Sequence, residues 1–510
     1  MSQSRNTVGY FKKEVTAGLA VVPSSSTDGF VSIEQPDVTT GQRELLESDA
    51  LTGSIGMKKP QLGIESASAS VAMELRSHGN ATLPSEPDFG AIVESGVGPA
   101  NISVATAVQA LPAPSVSEIT IGTEGSIKKH DFMIIANTTD GRTPRFAKSL
   151  KLAVIAGIND KIDFNEGGLE LTATLTAAVY PHGGSTVAGS IGEHIKTQME
   201  LVGASDYTVS AALQSDGSYK YTISSNGVTF EILIATGTNT ADNFLKLNLG
   251  FGAIDLVGAV SYVAGSFVWG NRVVLNLAMT SAATAGDVVS AAVMYKPVNE
   301  GHSHLTAGFY EGNSAVDGFF EQVIGGLVSK IGLSIETGTI AKITADINGL
   351  KSGRTALTAS PFAPSFEQVE GLTGFNVLSY FGSSQVCANS LSIEIANEVV
   401  EKKSFCSATG KTGSAVNKRS ITGSINPYSD GAIAFYNALM NLTDYEAFFV
   451  IGVKDAGGFV VGKTVGVYLP QILITQDKKG DLDGNIIEDI TFSAHRGADG
   501  TQNELVIAFA

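Results

Sequence analysis

Apolar and polar residues alternate with a period of two in several stretches of the chain. Ala67, Ala69, Val71, Met73 and Leu75 interleave with Ser66, Ser68, Ser70 and Glu74, the pattern of a strand with one buried face. A short helix is expected to open near Asp88. The same succession returns where Ile421, Gly423 and Ile425 interleave with Ser420, Thr422 and Ser424, with another helix expected near Asp430. A further pair of segments also matches. Val328-x₄-Leu333-Ser334-Ile335-Glu336 reappears as Val386-x₄-Leu391-Ser392-Ile393-Glu394. Two similar strand-and-helix modules in one polypeptide are therefore expected, an arrangement suited to symmetric rings.

Between these landmarks, turn residues divide the chain. Thr7 to Asp49 has the character of an extended arm and loop, broken by Ser24-Ser25-Ser26, Pro36 and Thr39-Thr40-Gly41. Leu51 to Lys59 is a polar loop, and a helical stretch is expected over Phe89 to Ser95. The character changes near Asn165-Glu166-Gly167-Gly168. The following block predicts a helix from Ile191 to Leu201. It also predicts a hairpin pairing Tyr207–Leu213 with Tyr219–Ser224 across Asp216-Gly217, a strong turn signal. Nothing in the second half corresponds to it, so it is expected to be an insertion. Ser352 to Ser365, with Pro361 and Pro364, is the expected linker. Beyond it come strands Val386–Ile395, Val400–Ser407 and Ser420–Asn426, a helix Ala432–Met440, then strands Glu446–Val453, Phe459–Leu469 and Ile490–His495. The expected division is 1–164 and 273–355 for the first module, 165–272 for the inserted domain and 366–510 for the second module. The expected fold class is mainly β: two tandem β-barrel or sandwich modules, each with a short helix, plus a small inserted α+β domain.

Composition narrows the functional classes. At 510 residues there is room for roughly three domains. Charged residues make up 16%, below the roughly 25% of typical soluble domains, which suggests an exterior largely covered by partners. The formal net charge of -17, with scattered basic residues, excludes a tight nucleic-acid reader. The same acidity suits a surface along which DNA slides without sticking: duplex DNA carries one charge per ~1.7 Å, and repulsion acts over about 10 Å. Met1 to Ala20 lacks the apolar core of a signal peptide, and no apolar run approaches the ~18 residues of a membrane span. Synthesis and assembly in a cytoplasm are expected.

Motifs that resemble chemistry have plainer explanations. Gly457-Gly-Phe-Val-Val-Gly462-Lys463-Thr464 fits the P-loop pattern, but a phosphate cradle needs a helix N-terminus after the threonine. Here Val465-Gly466-Val467-Tyr468-Leu469-Pro470 predicts a strand, and Asp455-Ala456-Gly457-Gly458 a hairpin turn. Asp481-Leu482-Asp483-Gly484-Asn485 suggests a calcium loop, yet Ile486 stands where an EF-hand requires glycine; a hairpin turn is expected. His302 and His304 would share a strand face, with no third ligand identifiable. Cys387 and Cys406 would lie nearly opposite if a hairpin turned near Ala396-Asn397, but in a reducing cytoplasm two free thiols are expected. No catalytic, cofactor-binding or metal-ligating residue is assigned, and no cofactor.

The order of segments resembles the tail tube proteins of long, non-contractile (siphovirus-type) bacteriophage tails, of a two-module kind. The residues that carry the resemblance are Tyr10-Phe-Lys-Lys-Glu14-Val-Thr, Ser66 to Leu75 leading into Asp88 to Ser95, the Val328 and Val386 segments, Ile421-Thr-Gly-Ser-Ile425 with Ala432 to Met440, Tyr468-Leu-Pro470 and Ile490-Thr-Phe-Ser-Ala494. It spans about Met1–Phe164 and Leu275–Ala510. It implies a structural virion protein that forms stacked rings around a DNA-sized channel. The expected partners are copies of itself, as a trimer with pseudo-sixfold symmetry, together with tape measure and tail terminator proteins; DNA passes without specific binding and no membrane is involved. A virion decoration or host-surface-binding protein is the alternative.

Overall fold

The computed structural model of the chain describes residues 7–21, 34, 36–46, 60–78, 86–110, 113–121, 127–137, 139–214, 218–266, 268–311, 318–357, 370–407, 409–429, 434–496 and 504–510. Strands dominate. β1 (Thr7–Lys13), β2 (Asp37–Leu46) and β3 (Gln61–Glu74) precede helix α1 (Gly90–Gly96). After a long intervening segment come β4 (Leu305–Glu311), β5 (Gly318–Glu336), β6 (Lys342–Gly349) and β7 (Lys351–Leu357). Then follow β8 (Ala388–Lys403), β9 (Lys411–Pro427), α2 (Ala434–Asn441), β10 (Asp444–Asp455), β11 (Gly458–Leu482) and β12 (Asn485–Ala494).

One sheet runs through both halves of the chain in the spatial order β2-β3-β6-β5-β8-β9-β12-β11, every neighbouring pair antiparallel. A single row of facing residues crosses it: Val71, Ala345, Ile331, Ile395, Ile421, Ala494 and Ile472. These side chains and their same-face neighbours build the main core, beneath Phe89, Ile92 and Val93 of α1. Period-two patterning fixes the register, because a one-residue slip would carry every apolar side chain to the wrong face.

The order β2-β3-β6-β5 is repeated as β8-β9-β12-β11. Each group is a hairpin, a helix, then a further strand hydrogen-bonded to the first strand of a second hairpin (β4 beside β5, β10 beside β11). Counterpart strands point the same way. Register agrees too: Met73 faces Ile343 as Ile425 faces Ile490, and Ala69 faces Ile347 as Ile421 faces Ala494. The Ser66–Leu75 and Ser420–Ile425 segments thus occupy matching places. The Val328 and Val386 segments do not. Leu333 lies opposite Ile393 and Ile335 opposite Leu391 on adjoining antiparallel strands, so their likeness reflects two neighbours burying the same face.

Several expectations are corrected. The stretch expected as arm and loop contains β1 and β2, which gain their hydrogen bonds from β4 and β3. Gly41, with φ of +72°, absorbs a register shift between Thr39 and Gln42. Leu51–Lys59, Ser24–Ser26, Asp430 and the Asp216-Gly217 turn lie outside the described residues, although the strands flanking that turn pair as expected. Ala396-Asn397 is not a turn. β8 is one continuous strand, and the chain reverses only beyond Lys403. Cys387 and Cys406 therefore sit at opposite ends of a strand roughly 50 Å long, both exposed and unbonded. The expected linker begins with β7, paired to the upper half of β5; its residues 358–365 lie outside the described ones.

The segment between α1 and β4 contains a separate core of Ile162, Phe164, Tyr207, Tyr221, Phe230 and Phe244 with their neighbours. The longer of its two described helices, Ile191–Val202, starts at Ser190, whose hydroxyl accepts from Glu193 N, while Glu193 Oε2 accepts from Gly189 N at 2.6 Å. This reciprocal cap explains where the helix begins. Nearer the sheet, Phe146 stacks on Tyr468 with ring centroids 4.8 Å apart and meets Phe448 edge-on, joining this segment to β10 and β11.

Candidate assembly surface and channel face

The face of the sheet opposite the core is lined with hydroxyls. Ser66, Ser68, Ser70, Thr344, Ser334, Ser392, Thr422, Ser424, Thr491 and Thr475 alternate with the buried row. Many bond one another across strands: Ser392 Oγ lies 2.8 Å from Ser424 Oγ, Thr475 Oγ1 3.0 Å from Thr491 Oγ1, and Ser70 Oγ donates to Asp346 Oδ1 at 2.6 Å. Such pairs stabilise a sheet and leave a surface with few free donors. Two of its cations are held by carboxylates, Lys330 by Glu394 at 2.7 Å and Lys342 by Glu34 at 2.5 Å.

The two edges are open. Among the described residues, β2 pairs only with β3, and residues 474–482 of β11 only with β12. An unpaired edge is a template for another strand.

The junction of the two four-strand groups is bolted by polar side chains. Asn397, buried in β8, donates through Nδ2 to the carbonyls of Gly96 (2.8 Å) and Val328 (3.0 Å). It thus satisfies an orphan carbonyl at the end of α1. Arg419 in β9 donates to the carbonyl of Val298 at 3.0 Å and to His302 Nε2 at 2.9 Å. His302 Nδ1 in turn lies 2.9 Å from the carbonyl of Ser95. That carbonyl can only accept, so Nδ1 carries the proton; burial, first of all, lowers the His302 pKa and keeps the ring neutral. Close packing helps. A Cβ on Gly96 would stand 2.5 Å from Ile331 Cδ1.

The residues singled out for chemistry are scattered. Lys463 lies inside strand β11, which follows a tight turn in which Lys454 faces Phe459 and Asp455 faces Gly458. Asp483 and Gly484 form the β11–β12 turn with φ of +51° and +80°. His304 diverges from His302 toward Ser414 Oγ, 3.3 Å away. No group of His, Cys, Asp and Glu suited to a metal occurs among the described residues, and no helix is long and apolar enough to cross a membrane. The hydroxyl face was present in the sequence as the polar half of each alternation, but only the strand order unites it.

The sheet is mostly antiparallel, with two outer strands that have no further partner strand among the described residues and one hydroxyl-rich face. The chain belongs to the phage tail tube protein family, whose model matches residues 4–494. That is a family of structural proteins of the phage tail, not of enzymes. No curated protein matches the sequence. Among solved structures, the crystal structure of MucB in complex with MucA(peri) aligns with 68% of this chain and 91% of its own. Identity there is 8% and the TM-score 0.07, so the overlap carries no argument.

Proposed function

We propose that three copies of the chain close into a ring with pseudo-sixfold symmetry, and that rings stack into the tube of a long, non-contractile phage tail. What supports this is the repeated strand order. Each chain would then supply two tandem modules, 1–164 with 273–355 and 366–510, with the domain 165–272 inserted and facing outward. Continuing the relation between the groups places β11 of one copy against β2 of the next, as β5 lies against β8. Ile474 would then face Val38 of the neighbour in the way that Ile331 faces Ile395. Closure removes both open edges and turns the hydroxyl face inward.

DNA passes along that lining without specific binding during genome delivery, and a tape measure protein occupies the channel during assembly. A terminator caps the tube, which is assembled in the host cytoplasm. Electron micrographs and native mass measurement of the purified protein test this. Rings of three chains, alone or stacked, are expected. Six chains per ring would discard the symmetry, and a monomer at every concentration would discard the proposal.

A further inference from the structure

Strand β8 carries unlike features at its two ends. At the upper end, in the turn leading to β9, Phe405 is 101% exposed, the most exposed large hydrophobic side chain among the described residues. Lys402 and Lys403 precede it, both exposed, and Cys406 follows. At the lower end is a groove of about 210 Å³ lined by Ile335, Phe375, Val377, Val386, Cys387 and Leu391. Ile335 and Leu391 belong to the buried core, whereas Phe375 is 55% exposed. One exposed carboxylate borders it: Glu336 lies between the lining residues Ile335 and Thr337.

We propose that this groove receives Phe405 from a second copy of the chain in the adjoining ring, so that β8 strands join head to tail. Rings stacked along the tube bring the top of one copy to the bottom of another. A contact between two different patches of the same chain propagates without closing, as a filament requires. Charges agree: the tip presents Lys402 and Lys403, and exposed Glu336 stands between the lining residues Ile335 and Thr337 of the groove. An aromatic ring entering an apolar pocket with a charged rim is the common form of an interface anchor. The inference rests on the ring-and-tube reading above and adds the axial contact to it.

The chain's two cysteines supply the test, because docking brings Cys406 of one copy beside Cys387 of the next while keeping them a strand length apart within each copy. Assembled protein treated with a short bismaleimide is expected to give a ladder of covalent multimers on a denaturing gel. Cys387→Ser and Cys406→Ser should each abolish the ladder and leave assembly intact. Phe405→Ser should leave rings of normal mass but shorten tubes at least tenfold, with Phe405→Leu restoring part of the length. Tubes of normal length from Phe405→Ser, or tubes without cross-links, would overturn the axial contact alone. Wild-type protein that forms no rings would instead overturn the ring reading, and this contact with it.

Discussion

Gly423 faces Phe492 across the β9–β12 pair, and the phenyl ring fills the space where a side chain at Gly423 would stand. A Cβ there would lie 2.5 Å from Phe492 Cε2. Phe492 also meets Phe381 and Phe449, at centroid distances of 5.8 and 6.3 Å. The glycine in the alternation is therefore the complement of a buried aromatic ring on the next strand.

Gly423→Val should destabilise the protein by about 1–3 kcal/mol through overpacking, and Phe492→Ala by about 3–5 kcal/mol through the cavity left behind. Denaturant titrations measure both. Because the two positions touch, their effects should be non-additive: Gly423→Ala ought to cost less in a Phe492→Leu background than in the wild type.

Asn397→Ala should cost roughly 1–3 kcal/mol, since it strips partners from two buried carbonyls, those of Gly96 and Val328. The loss falls at the join between the two four-strand groups. Hydrogen exchange should therefore rise in α1 and at the β5–β8 pairing before it rises in β9–β12. A uniform rise would mean that Asn397 does not hold this join.

Strand alternation, the helices after Asp88 and near Ala434, the pairing of Tyr207–Leu213 with Tyr219–Ser225 and the strand through Lys463 were legible in the sequence, because each depends on neighbours in the chain. What was not legible depends on distant partners. β2 looked like a loop because Thr39-Thr40-Gly41 holds turn formers, yet β3 supplies its hydrogen bonds. Ala396-Asn397 looked like a turn because asparagine favours one, whereas its side chain is spent on α1 and β5. The Val328–Val386 likeness suggested equivalent strands, and only the sheet order distinguishes neighbours from counterparts.

Glu14 fastens the N-terminal arm. Its carboxylate accepts from Thr306 Oγ1 at 2.6 Å, Gly325 N at 2.8 Å and Gly18 N at 2.7 Å. Glu14→Ala leaves these donors unmet and should cost roughly 2–4 kcal/mol. Limited trypsin digestion should then cut after Lys12 or Lys13 at least several-fold faster than in the wild type. An unchanged cleavage rate would place the anchor elsewhere along β1.

The segment with its own core between α1 and β4 should lose stability in mild acid, and His182 is the main source. Its Nε2 lies 3.1 Å from the carbonyl of Trp269, its Nδ1 2.8 Å from Tyr221 Oη, and its ring stacks on Tyr219 with centroids 4.5 Å apart. Since the carbonyl can only accept, Nε2 carries the proton and Nδ1 accepts from the tyrosine. A second proton would break that bond and charge a buried ring, so burial pushes the pKa down from 6.5 to about 4. The unfolded chain binds the proton first. Stability is thus full above about pH 6.5, falls as the pH drops, and levels off near 4, a loss of roughly 3 kcal/mol at most. His194, also lowered by burial, adds a smaller loss of the same sign. His182→Gln keeps a donor for Trp269 and an acceptor for Tyr221 but cannot titrate. Thermal melts between pH 7 and 4 should show a much shallower decline in that variant, and an equal decline would exclude His182 as the cause.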